Sequence, residues 1–340
     1  MIRILGRRFT AFLLSTCLML VGCAKTAEQK KEDAIVSANI LLTKKKCDAA
    51  ITLLEGVGRD VNDARYLKVL ASAYACKSGF SVLKFFADDL KLISTPAPMG
   101  GATRFSTSSA MDSPTSEEYT NLQTAIDLLL YAGGISHSVD PTVAKRAALF
   151  SAADAGEINA LLMYLLAVQI GHYFYFYSNA SAAGVKGGGA FGNSCFMNYT
   201  NVDFAPAATN VPLKQFDNMT DWLAAGVTGA CVSPATVGSA DLGADGSIDV
   251  ALACQGVVLL NNFLAIFPGV VSQMSGTDFA DLAALETILG AGKVLAEAHT
   301  PGSDAKVNNV LSQTKCEASN AATDVYLQTY FAFMMETLVQ

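Results

Sequence analysis

Ser136 and His137 stand side by side in the stretch GISHS. A serine next to an imidazole is the smallest arrangement that could supply a nucleophile and its base. A nucleophile elbow, however, needs Gly-x-Ser-x-Gly on a turn after a strand. Here the pair follows a helical stripe, and a plain turn accounts for it. His137, His172 and His299 lie far apart with no metal-ligand spacing between them, and no two cysteines are separated by two residues. Lys186 precedes the glycines of VKGGG, whereas a phosphate loop places its lysine after them and then Ser or Thr. No carboxylate pair stands out from ordinary solvated acids. These residue types predict a protein that is not an enzyme. The remaining polar candidates are His172, Tyr173, Tyr175 and Tyr177, at the aromatic end of a long apolar segment. They could line a cavity for a small apolar ligand or simply pack a core.

Twelve residues, DLGADGSIDVAL, place Asp241, Asp245 and Asp249 four apart with Gly246 between the last two. The stretch resembles part of an EF-hand calcium loop, with carboxylates at positions 1, 5 and 9 and glycine at 6. Calcium prefers such hard oxygen ligands. Gly243 stands at position 3, and Leu252 stands where a bidentate Glu belongs. A turn into the following helix, capped by Asp245 or Ser247, accounts for the same residues. No other cofactor is expected.

Cys23 closes an N-terminal segment of a different kind. Arg3, Arg7 and Arg8 precede an apolar run from Phe9 to Val21, which is the length of a signal peptide and short of a membrane span. Leu20-Val21-Gly22-Cys23 resembles the lipobox of bacterial lipoproteins. The resemblance implies a diacylglycerol on the Cys23 thiol, cleavage before it, and acylation of the new amino group. Buried lipid contributes about 0.8 kcal/mol per methylene, so three chains would hold firmly where one would not. Ala24 and Lys25 follow the cysteine. The absence of Asp there leans towards the outer membrane, with the protein on its periplasmic side.

Loss of residues 1–22 takes Lys+Arg from 23 to 20 against 30 acids, a net charge of −10 on 318 residues. So acidic a chain argues against nucleic acid as a partner. Cys47, Cys76, Cys195, Cys231, Cys254 and Cys316 remain once Cys17 leaves with the signal and Cys23 is acylated. An even number outside the cytoplasm suggests three disulfides. Cys47 and Cys76 lie in one helical region and are expected to pair. The other four are left open.

Hydrophobic residues make up 51% of the chain and charged ones 16%, with much of the apolar share alanine. Ala with Leu and little alternation predicts closely packed helices and an all-α fold. Residues 23–33 read as a polar, lipidated tether. Residues 34–93 predict four helices, broken around Lys44 to Cys47 and at Ser78-Gly79, with Asn62 or Asp63 capping the third and Asp88-Asp89 exposed. Residues 94–114 read as a surface loop or linker. The rest, 115–340, reads as one helical domain with irregular, disulfide-held loops. Within it Thr115 to Glu118 forms a capping box, and Asp140-Pro141 opens a helix with Asp as cap. A buried central helix covers 157–177. Further helices are expected near 217–227, 248–267, 278–299 and from 303 to the end.

The four helices of 34–93 resemble two tetratricopeptide-type hairpins, a repeat of about 34 residues. Leu67, Leu70, Ala71 and Tyr74 take its large, large, small and aromatic places, and Ala38, Ala50 and Leu54 serve the preceding unit. Such arrays present concave surfaces. The resemblance therefore implies an envelope scaffold that binds a protein or extended peptide. The stretch ARYLKVLASAYACKSGF and the later aromatic helix also resemble lipoproteins associated with TRAP-type transporters. That resemblance implies a periplasmic accessory protein with a small apolar ligand near His172 to Tyr177.

Overall fold

The computed structural model describes residues 25–92, 100–191, 195–197, 242, 248–271 and 280–339. Among them are twelve α-helices and no strand, with 71% helix. The fold is all-α. Two compact units divide the chain, Met1–Arg59 and Asp60–Gln340.

In the first unit a helical hairpin is built from α1 (Ala27–Thr43) and α2 (Cys47–Glu55). Thr26 and Gln29 cap α1 reciprocally, the Thr26 hydroxyl accepting from the Gln29 N–H at 3.2 Å and the Gln29 carbonyl from the Thr26 N–H at 3.0 Å. The stretch expected as a tether is thus helical from Ala27 onward. Lys45 turns the chain at φ 55°. Ala34, Ile35, Ala38, Ala50 and Leu54 are buried.

The second unit begins with α3 (Ala64–Lys77), capped by Asp63, whose carboxylate accepts from the Tyr66 N–H at 3.0 Å. No long return helix follows. Residues Val82–Lys84 make one turn, then a π turn covers Phe85–Asp89 and a 3-10 turn Leu90–Leu92. Leu83, which would face the seam of a second hairpin, is 82% exposed. Asp88 is exposed as expected, but Asp89 is buried, accepting from the Ser106 N–H at 2.8 Å and its hydroxyl at 3.1 Å. Within the expected surface loop, described from Gly100 onward, several residues are buried as well. Ala102, Thr103, Phe105, Ser108 and Met111 pack inward, against the long helix α6 (Ala152–Tyr177). Gly171 of α6 makes this possible, because a Cβ there would meet the Ala102 carbonyl oxygen at 2.7 Å.

Between them run α4 (Glu117–Leu130) and α5 (Val143–Leu149). The capping box expected at Thr115 to Glu118 does not form, since the Ser116 hydroxyl bonds no first-turn N–H. Asp140 does not cap α5 either. Thr142 does so, accepting from the Lys145 N–H at 3.2 Å, because Asp140 is engaged elsewhere. Ser151 caps α6 through the Asp154 N–H at 3.1 Å. Four more helices follow: α7 (Val250–Val271), α8 (Ala280–His299), α9 (Gln313–Asn320) and α10 (Val325–Tyr330). The chain then continues through a π turn, Phe331–Met335, into Glu336–Leu338.

The core of the second unit is α6, which packs against α3, α4 and α7, while α7 packs in turn on α9. Windows in Ala152–Tyr177 and Val250–Val270 are apolar enough to cross a membrane, with hydropathies of 1.3 and 1.9. They are 72% and 67% buried against the chain itself, as core helices are.

Candidate functional site

A cavity of about 310 Å³ opens where α4, α6, α7 and α9 meet. Gln123, Asp127, Leu130 and Tyr131 reach it from α4 and its C-cap. Their spacing of four, three and one puts them on one helical face. From α7 come Ala251, Leu252, Gln255, Val258 and Leu259, again on one face, with Leu166 from α6, Gln313 and Thr314 from α9, and His137 at the rim. The wall is mostly apolar with a few converging polar groups, as in small-ligand sites, which run from about 300 to 1,000 Å³.

The polar groups are ordered from the core outward. The buried Gln169 donates to the Tyr119 carbonyl at 3.1 Å and to the Gln123 carboxamide oxygen at 3.3 Å. Gln123 donates in turn to the Asp127 carboxylate at 3.0 Å. Burial pushes the Asp127 carboxyl up to about 6, against lowering contributions from Gln123 and His137. The Tyr131 hydroxyl is pushed up to about 12, chiefly by burial. The His137 ring stacks on Tyr131 with centroids 3.8 Å apart.

The rim is tied down from both sides. Burial alone would raise the Asp140 carboxyl, but it lies below its ordinary range because the Lys315 ammonium and the Leu311 and Ser312 N–H groups hold it, the latter two at 2.9 and 3.1 Å. The Ser312 hydroxyl donates to the His137 carbonyl. Arg146, fully buried, donates to the Leu130 and Pro141 carbonyls at 3.3 and 2.6 Å and to Asn159 at 2.7 Å. It thereby fixes the end of α4 just where Tyr131 begins. Across the cavity, Cys254 of α7 and Cys316 of α9 form a disulfide with Cα atoms 5.6 Å apart, joining two of the walls.

The candidates from sequence fall differently. Ser136 shares its hydroxyl hydrogen bond with Ser138, at 2.8 Å, while His137 stacks on Tyr131. The pair makes no nucleophile–base contact. His172, Tyr173 and Tyr177 are core residues, each at most 1% exposed, and Tyr175 is partly exposed. None of the four lines this cavity or a second, more open one of about 360 Å³ beside Asn261 and Lys293. Tyr173 donates to the Leu252 carbonyl at 3.0 Å, and its ring meets Tyr177 at 4.5 Å. Their side of α6 faces its neighbouring helices, so packing consumed the aromatic cluster.

Asp249 is exposed and caps α7, accepting from the Leu252 N–H at 3.0 Å. The cap is thus neither Asp245 nor Ser247. Asp241 and Asp245, the other two candidate calcium ligands, lie outside the described residues, as do Cys23, Cys231 and the helix expected near 217–227. Cys47, Cys76 and Cys195 are also in disulfides. Lys186 is buried in an ion pair with Glu336.

No known protein family, curated protein or solved structure matches the chain. The reading of the site rests on its geometry alone. Sequence reasoning passed over Gln123, Asp127, Tyr131, Gln255 and Gln313. Three of them carried a signal. Gln123 and Asp127 run beside the apolar stripe of α4, and Gln255 interrupts an almost wholly apolar helix.

Proposed function

We propose that the protein is a non-catalytic, lipid-anchored binding protein of the bacterial envelope. In this reading it takes a small ligand with an apolar body into the cavity between α4, α6, α7 and α9. The observation that carries it is that cavity, about 310 Å³ in volume, with Gln123, Asp127, Gln255 and Gln313 converging on an apolar wall. The lipobox-like end at Cys23 supports an outer-membrane anchor facing the periplasm. The Cys254–Cys316 disulfide supports an oxidising compartment. Of the two non-enzymatic functions, an accessory protein with a small ligand fits an internal cavity better than a scaffold presenting an open groove to a peptide.

Native mass spectrometry of the protein purified from its own membrane tests this reading. The expected species is a chain starting at Cys23, carrying acyl mass and a retained small molecule. Ala251→Trp, at the exposed rim, is expected to expel that molecule. A chain that starts elsewhere without lipid would overturn the anchor. A retained molecule indifferent to the rim tryptophan would overturn the cavity as its site.

A further inference from the structure

The cavity is lined by one carboxyl, Asp127, and by no lysine or arginine; its one basic side chain is His137 at the rim. The Asp127 carboxylate has a single hydrogen-bond partner among the described residues, the neutral carboxamide of Gln123. The cations near the rim are committed elsewhere. Lys315 is held by the Asp140 carboxylate, Lys145 donates to the Asp140 carbonyl at 2.9 Å, and Arg146 points to Leu130, Pro141 and Asn159. His137 is the only cationic side chain acting on Asp127. It is exposed at the rim, and its ring lies on Tyr131. The Gln255 carboxamide, on the opposite wall, makes no hydrogen bond among the described residues.

A half-buried carboxylate without a fixed counter-ion is unfavourable, and natural folds keep such groups where function needs them. The burden on Asp127 is visible in its carboxyl, which burial raises to about 6. An anionic ligand would be repelled. A wholly apolar one would seal the charge in without a partner. A cationic nitrogen would supply the missing charge and several N–H donors, which the carboxylate and the Gln255 carbonyl could share.

We propose that the ligand of this cavity is a small primary amine in its ammonium form, with Asp127 as counter-ion and the apolar wall around Leu130, Leu166 and Leu259 receiving its hydrocarbon body. The proposal rests on the reading of the cavity as a ligand site. It adds the charge class of the ligand.

Calorimetric titration of the full acylated protein with hexylammonium, 1-hexanol and hexanoate tests it, because the three probes share size and differ in charge. Hexylammonium is expected to bind about tenfold or more tightly than hexanol, the range of a hydrogen bond to a charged group, and hexanoate more weakly still. In Asp127→Asn, which keeps the shape of the side chain, ammonium and alcohol are expected to converge within about twofold, with hexanol binding retained. Ala251→Trp is expected to weaken all three. Hexanol or hexanoate binding as well as hexylammonium, and blocked by Ala251→Trp, would overturn the charge assignment and leave the cavity standing. Binding by none of the probes, or binding indifferent to Ala251→Trp, would overturn both. The series on the unsubstituted protein decides the charge question even if Asp127→Asn fails to fold.

Discussion

Burial disfavours a second proton on His172. Burial holds its imidazole down to about 4, only partly offset by the Thr107 backbone, against an ordinary value of 6.5. The unfolded chain therefore takes up a proton below 6.5 that the folded chain refuses until about pH 4. Stability falls across that window on acidification, by at most about 3 kcal/mol from this group. Asp127 acts with the opposite sign. Its carboxyl, raised from 3.8 to about 6 by burial, is protonated in the fold before it is protonated in the unfolded chain, so acidification between those values relieves strain. Urea unfolding from pH 4 to 7 separates the two. His172→Leu is expected to lose most of the decline below pH 6.5. An unchanged slope in that variant would remove His172 as its source. Neither role was legible from the sequence. His172 was visible as a histidine in an apolar helix, but Asp127 was one acid among thirty. Its meaning comes from Gln255 and Gln313, more than a hundred residues further along.

Helices announced themselves through their stripes, and α4, α6 and α7 lie close to where composition placed them. The irregular segments did not, because their partners are remote. The 100–111 stretch is rich in Gly and Ser like any surface loop, yet Gly171 lets it lie against α6. Asp140 looked like a cap for the next helix and instead receives the N–H groups of Leu311 and Ser312. The glycine-rich turn after α6 follows the same logic. Its Lys186 ammonium pairs with the Glu336 carboxylate, both side chains at most 1% exposed, and Glu336 also accepts from the Phe196 N–H at 2.9 Å. The pair joins an irregular segment to the C-terminal helical turn. Glu336→Gln leaves a buried ammonium without its counter-charge and is expected to cost about 3–5 kcal/mol. Lys186→Met with Glu336→Leu removes both charges and is expected to recover much of that loss. Denaturant midpoints of the two variants give the comparison, and a single variant as stable as the parent would show that the pair does not clamp this end.

At the scale of the second unit, one covalent link is the Cys254–Cys316 disulfide, which spans 62 residues. Closing a loop of that length removes unfolded-state entropy equivalent to about 4 kcal/mol in the chain-entropy account. Replacing both cysteines by alanine is expected to lower unfolding stability by up to that amount and to loosen the contact of α9 with α7. Chemical denaturation and titration with hexanol would report the two effects separately. An unshifted midpoint would mean that packing between α7 and α9 suffices without the bridge. That Cys254 and Cys316 would be oxidised was legible from the even cysteine count. That their bond would close the wall of a cavity was not, since residue spacing carries no record of which helices become neighbours.

The order in which that chamber is assembled follows from where its walls lie in the chain. Gln123 and Leu166 come early, Gln255 midway through the last half, and Gln313 and Thr314 close to the end. A chain threaded through a pore from its N-terminus would expose its first helices long before the last wall emerged. Until then Asp127 would face water, fully hydrated and without penalty. Completion of the chamber is thus also the moment its charge is partly withdrawn from solvent, and a cation already resting on that carboxylate would be held there as α9 docks.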